Sequence, residues 1–171
     1  YYFRGQLLAQ LGLHSRALED FNRSYSLGFR PAELFAARGR VAQLLGRYED
    51  ALGDFGQAIF WDPENARYYA YRADYFRSQG TYHTAASNLG QAIRLDPELA
   101  VARHYQGLLF YDLGLFPEAI RAFDHAISLD PGLADAYDSR TAAEYQEALF
   151  AKTGLRTQAF QDLSSSEARR A

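Results

Sequence analysis

Arg4 and Asp20 stand 16 residues apart, and so do Arg38 and Asp54. An arginine opposite a carboxylate supports two kinds of chemistry. The guanidinium can grip the carboxylate through two parallel hydrogen bonds, or a partly buried carboxylate can serve as a general base. Recurrence decides between them. The matching positions further along are Arg72 with Asn88 and Gln106 with Ala122, so the two members of the pair change together. One active site has no use for two copies, and the pattern predicts structural ion pairs at Arg4–Asp20 and Arg38–Asp54, weakened in the third instance and absent in the fourth.

The remaining chemistry-bearing residues do not converge. His14 and His83 fall near turns, His125 on an outward stretch and His104 on an inner helix, whereas a metal site needs three or four ligands in one place. There is no cysteine, hence neither a thiol nucleophile nor a disulfide framework, and reducing and oxidising compartments are equally compatible. No glycine cluster has the strand-loop-helix context of a phosphate loop. The expectation is no catalytic residue, no metal and no cofactor. A net charge of -3 gives no basic footprint for a nucleic-acid partner. No apolar run approaches the roughly 18 residues of a membrane span, so direct membrane insertion is not expected. The chain opens with Tyr1 inside a helical pattern, which leaves room for a lost leader.

The elements that position these residues follow from a self-repeat. Gly12, Gly46, Gly80 and Gly114 lie 34 residues apart, as do Ala17, Ala51, Ala85 and Ala119, and Phe21, Phe55, Leu89 and Phe123. A period of that length is one helix-turn-helix unit of a solenoid. With 48% hydrophobic residues, the chain can bury a continuous core as one domain. The units read 1–31, 32–65, 66–99 and 100–133, with a C-terminal cap over 134–163 and a frayed tail over 164–171. In each unit a glycine closes the first helix, and Asp62-Pro63, Asp96-Pro97 and Asp130-Pro131 end the second. Gly5, Gly39, Ala73 and Gly107 are expected to oppose Ala17, Ala51, Ala85 and Ala119 at the helix contact. Tyr1, Phe35, Tyr69 and Tyr137 are expected to point inward, and Leu27, Trp61, Leu95 and Leu129 to pack on the following unit. The first helix lacks a cap, which predicts further residues or repeats before it.

The pattern of an aromatic, then Gly or Ala, then Leu-Gly-x-Tyr/Phe, then Ala, Phe, Ala and Asp-Pro resembles the tetratricopeptide repeat over residues 1 to about 133. Departures are Arg103 in place of an aromatic, Phe29 in place of the closing Pro and Ser24 in place of Ala. The resemblance implies an all-α, right-handed superhelix whose concave face comes from the first helix of every unit. It implies a protein-protein interaction scaffold or adaptor that binds an extended or helical segment in that groove. Self-association, or service as a module of a larger protein, is the alternative. The groove residues are then Tyr2, Gln6, Arg40, Gln43, Arg67, Tyr71, Asp74, Arg77, His104, Tyr105, Leu108, Tyr111 and Asp112, flanked by Phe3, Glu33, Ala36, Ala37, Asp135 and Asp138. Tyrosine and arginine, which anchor interfaces best, are dense among them. Ala36-Ala37 beside Arg40 leaves space for a bulky side chain or a terminal carboxylate. The Lys/Asn clamp of chaperone-binding members would fall on Tyr2, Gln6, Ala37, Arg67 and Tyr71, of which only Arg67 is chemically similar. An asparagine ladder would fall on Phe3, Ala37, Tyr71 and Tyr105, and none of these matches.

Overall fold

The helix that opens each of the four hairpins ends on a glycine in the left-handed region, Gly12, Gly46, Gly80 and Gly114, with φ between 71° and 74°. A side chain with Cβ is strained there, and the conformation turns the chain back within three residues. The residue after each glycine donates its N–H to a carbonyl five positions earlier: Leu13 to Leu8 at 2.9 Å, Arg47 to Ala42 at 2.8 Å, Thr81 to Phe76 at 2.9 Å and Leu115 to Phe110 at 2.9 Å. These bonds satisfy carbonyls that a helix end leaves without partners.

The computed structural model describes residues 1–153. It contains α1 (Tyr2–Gln10), α2 (His14–Ser26), α3 (Ala32–Leu44), α4 (Tyr48–Trp61), α5 (Ala66–Ser78), α6 (Tyr82–Leu95), α7 (Ala100–Asp112), α8 (Phe116–Leu129) and α9 (Ala134–Thr153). The latter part of the expected cap and the expected frayed tail lie outside the described residues. The helices pair as α1/α2, α3/α4, α5/α6 and α7/α8, with α9 laid against α8. Odd-numbered helices also touch one another in succession, whereas even-numbered helices do not touch. The stack therefore curves toward the odd helices, which form its inner wall. The fold is an all-α helical repeat solenoid.

In three of the four pairs a glycine on the first helix meets a phenylalanine ring of the second. A Cβ at Gly5 would lie 2.8 Å from Phe21 Cε1, and one at Gly39 would lie 3.0 Å from Phe55 Cε1. Gly107 stands against Phe123 more tightly still. The alanines expected opposite them, Ala17, Ala51, Ala85 and Ala119, are fully enclosed, but the nearest neighbour of the glycine is the ring four positions later. The third pair shows the same rule with different volumes, for Ala73 faces the smaller Leu89. Phe21, Phe55 and Phe123 are fully buried.

Two expectations about the seams are corrected. Tyr1 and Tyr137 are exposed, while Phe35 at the same repeat position is buried. Tyr69 and Tyr137 instead donate their hydroxyls to the Pro63 and Pro131 carbonyls at 3.0 and 3.4 Å, which holds each ring over its Asp-Pro turn. Leu27 and Trp61, expected to pack on the next unit, are 64% and 62% exposed, and Trp61 lies edge-on to Phe60 at the surface. Leu95 and Leu129 are half-buried.

Because glycine and phenylalanine share one volume, Gly107→Ala should destabilise the chain by about 1–3 kcal/mol through overpacking. Gly107→Ala combined with Phe123→Leu, which copies the Ala73–Leu89 pair, should recover most of that loss. Urea denaturation of the two variants and of Phe123→Leu alone checks the coupling; additive losses would mean that the contact does not set the packing.

Candidate partner-binding groove

The inner wall encloses an open groove of about 850 Å³ at its N-terminal end, lined by residues of α1, α3 and α5 and of the turns before α5 and α7. The sequence-predicted Tyr2, Gln6, Arg40, Arg67 and Tyr71 all line it, as do Glu33, Ala36 and Ala37. Gln6 donates to the Tyr2 hydroxyl at 2.9 Å and so fixes one rim. Opposite, the Arg40 guanidinium lies 4.6 Å over the Tyr71 ring, a cation–π arrangement in which it makes no ion pair among the described residues and feels Asp74 only at a distance.

Further along the wall the predicted polar residues are tied to each other. Gln43 donates to Asp74 at 3.1 Å. Arg77 donates to Asp74 at 2.8 and 3.0 Å and to Asp112 at 2.6 Å. This chain crosses α3, α5 and α7 and neutralises Arg77 internally, so the cation expected to serve as an anchor serves instead as a strut. Tyr105 is wedged between α5 and α7, where burial pushes its phenol pKa up. Leu108 and Tyr111 pack on the Phe123 cluster, and Tyr111 meets the Phe116 ring at 5.4 Å.

His104 corrects the expectation of an exposed groove residue. It is 6% exposed, and its Nε2 lies 3.1 Å from Ser139 Oγ across the α7–α9 contact. Burial lowers its pKa from the usual value of 6.5, against the opposing pull of Asp135 and Asp74.

The ion pairs behind the wall form as two-pronged contacts, with Arg4–Asp20 at 2.6 and 2.6 Å and Arg38–Asp54 at 2.8 and 2.6 Å. Arg72 makes a single bond to Asn88 at 2.8 Å. The two pairs are not equivalent. Arg4 is 65% exposed and its bonds hold the Asp20 carboxyl below the usual range, whereas Arg38 is 17% exposed and burial raises Asp54 despite the same partner type. Arg140, at the repeat position of Arg38, bonds Asp124 at 3.0 Å, and Arg38 likewise reaches Asn22 at 3.3 Å. Sequence reasoning missed this backward link, although Arg140 falls on the repeat position that exposes it.

It also missed Tyr68. That residue lines the groove, is 3% exposed, and has a buried hydroxyl with no hydrogen-bond partner. Among the described residues no three His, Cys, Asp or Glu side chains come together as a metal site, and no helix is long and apolar enough to cross a membrane.

Two predictions follow from this geometry. Arg38→Ala and Asp54→Ala should each destabilise and show non-additive coupling of about 1–3 kcal/mol in a double-mutant cycle, while Gln106→Ala changes little. His104, neutral in the fold and more readily protonated when unfolded, contributes stability above its unfolded pKa that is lost as pH falls below about 6.5. The melting temperature should therefore drop between pH 7 and pH 5, and His104→Gln should flatten that slope; an unchanged slope would assign the acid sensitivity elsewhere.

A family model described as Tetratricopeptide repeat matches residues 36–98 and 72–134. Among solved structures, the TPR domain of Arabidopsis OM64 is similar at 24% identity and a TM-score of 0.59, covering 67% of this chain and 94% of that one. The first TPR of Spaghetti (RPAP3), bound to the HSP90 peptide SRMEEVD, is similar at 20% identity and a TM-score of 0.59, covering 68% of this chain and 93% of that one. YrrB, a TPR protein with an unusual peptide-binding site, is similar at 20% identity and a TM-score of 0.62, covering 82% of this chain and 73% of that one. At these identities the likeness is one of fold. No curated protein matches the sequence.

Proposed function

The chain belongs to the tetratricopeptide repeat family, and we propose that it is a non-catalytic adaptor holding an extended or helical segment of a partner protein in the groove of its odd-numbered helices. Modules of this family commonly mediate protein-protein interaction. The observation that carries the reading is the division of labour along the inner wall. Its C-terminal polar residues pair directly with one another, whereas Arg40 and Tyr71 at the N-terminal end present to an open groove a cation that makes no ion pair among the described residues, with only the field of Asp74 acting on it, and an aromatic face. A solenoid that needed this face only for its own stability would pair Arg40 as it pairs Arg77. The partner is a protein segment, not a nucleic acid, in keeping with the net charge of -3.

In this reading Tyr2, Gln6, Arg40, Arg67 and Tyr71 contact the partner directly. Gln43, Asp74, Arg77 and Asp112 keep α3, α5 and α7 at the spacing the groove requires. Affinity capture with the chain, followed by titration of the captured partner, tests the assignment. Arg40→Ala and Tyr71→Ala should each lose about 1–3 kcal/mol of binding, and the outer-surface change His125→Ala should lose none. Equal losses on both faces would move the site to the convex surface.

Self-association is the second reading, and one observation favours it. Leu7 is 60% exposed and flanked by Phe3 on α1 and by Leu11 just past its end, at 75% and 73%, whereas its repeat equivalents Val41, Tyr75 and Leu109 are buried. Light scattering across concentration separates the readings. A monomer that stays monomeric excludes assembly through this face, and a rise in mass abolished by Leu7→Glu would establish it.

A further inference from the structure

The groove breaks the repeat pattern twice, and both breaks fall in the same compartment. At one inner-wall position the four units carry Phe3, Ala37, Tyr71 and Tyr105, continued by Ser139 on α9, so that among the four units α3 alone lacks a ring. At another they carry Leu34, Tyr68 and Ala102, continued by Ala136 on α9, so that α5 alone places a phenol where the others bury an apolar group. Ala37 and Tyr68 both line the N-terminal groove, with Tyr2 and Tyr71 on either side and Arg40 at its edge. The missing ring leaves a space bounded by tyrosines. The added hydroxyl is enclosed without a partner, which costs free energy unless something outside the chain meets it.

We propose that the partner supplies the missing ring. One aromatic side chain of an extended segment seats over Ala37 between Tyr2 and Tyr71, a carbonyl of that segment accepts a hydrogen bond from the Tyr68 hydroxyl, and an acidic residue beside the aromatic pairs with Arg40. This deepens the peptide-binding reading and rests on it. The donor role of Tyr68 follows from its surroundings: burial, aided by Glu33 and Asp62, pushes the phenol up to about 12, so it keeps its proton at neutral pH. Arg40 is already stacked on Tyr71, so its guanidinium is oriented before a ligand arrives. An aromatic side chain suits the compartment because offset and edge-on ring contacts with the two tyrosines add to the area buried.

The test uses the whole chain and a phage-displayed library of random linear peptides, with affinities of synthesised winners read by fluorescence anisotropy. Enriched peptides should share an aromatic residue next to Asp or Glu. Tyr68→Phe should weaken them roughly three- to tenfold while keeping or raising the melting temperature of the free chain, since it removes a buried hydroxyl that has no partner until a ligand binds and costs no packing. Arg40→Gln should weaken them about tenfold and reduce the salt dependence. Ala37→Tyr, which installs a ring like those the other units carry, should abolish binding while leaving the fold intact. If peptides bind but Tyr68→Phe and Ala37→Tyr leave affinity unchanged, the hydroxyl is met by resident water and the pocket assignment falls while the peptide-binding reading stands. If nothing is enriched, the reading of the groove falls and takes the pocket with it.

Discussion

The contact between a glycine on one helix and a phenylalanine ring on the next is what the rest of this molecule depends on. It fixes how closely the two helices of a pair approach, and every later geometric relation inherits that distance. With Gly5, Gly39 and Gly107 the ring fills the space a side chain would occupy; with Ala73 the partner shrinks to Leu89. The sum of the two volumes is conserved although neither residue is, as expected of an interior packed to crystal-like density. The two-pronged Arg38–Asp54 contact lies one residue to the side of the same crossing. A change in helix spacing would pull apart hydrogen bonds whose geometry admits little slack.

Much of this was legible in the sequence because a repeat compares a chain with itself. Gly12, Gly46, Gly80 and Gly114 announced the turns, and Arg4, Arg38 and Arg72 changed in step with Asp20, Asp54 and Asn88, so both the hairpin and the pair behind it could be read from spacing alone. What escaped were relations between units. Gln43–Asp74 and Arg77–Asp112 join neighbouring repeats across spacings of 31 and 35 residues, and those contacts depend on how much each pair rotates relative to the last. His104 falls on the groove face of its helix by repeat position, but the following α9 leans over it and covers it. Trp61 shares a repeat position with Leu95 and Leu129, which precede the same Asp-Pro turn and are half-buried, yet it lies at the surface against Phe60. Tyr68 gave a signal that spacing analysis can detect, a lone phenol in an apolar column, which becomes informative once the groove beside it is known.

The inner wall spends its charges unevenly, and this has a bearing on rigidity. At the C-terminal end Asp74, Arg77 and Asp112, all half-buried, hold α5 and α7 together through charge-assisted hydrogen bonds. Among the described residues no ion pair forms between α3 and α5: the Gln43–Asp74 hydrogen bond is joined by a cation over a ring, with an open groove beside it. A ligand that paired with Arg40 would add to one end the bracing that the other already has.

No two helices more than two places apart in the chain touch one another among the described residues. Every tertiary contact is therefore made between segments that were close along the polypeptide, so the entropy of closing long loops is never spent. Such a chain has a low contact order and can begin folding at any hairpin, then extend in both directions by adding neighbours. On the ribosome each new pair of helices can dock on the pairs already emerged, without waiting for the carboxyl terminus.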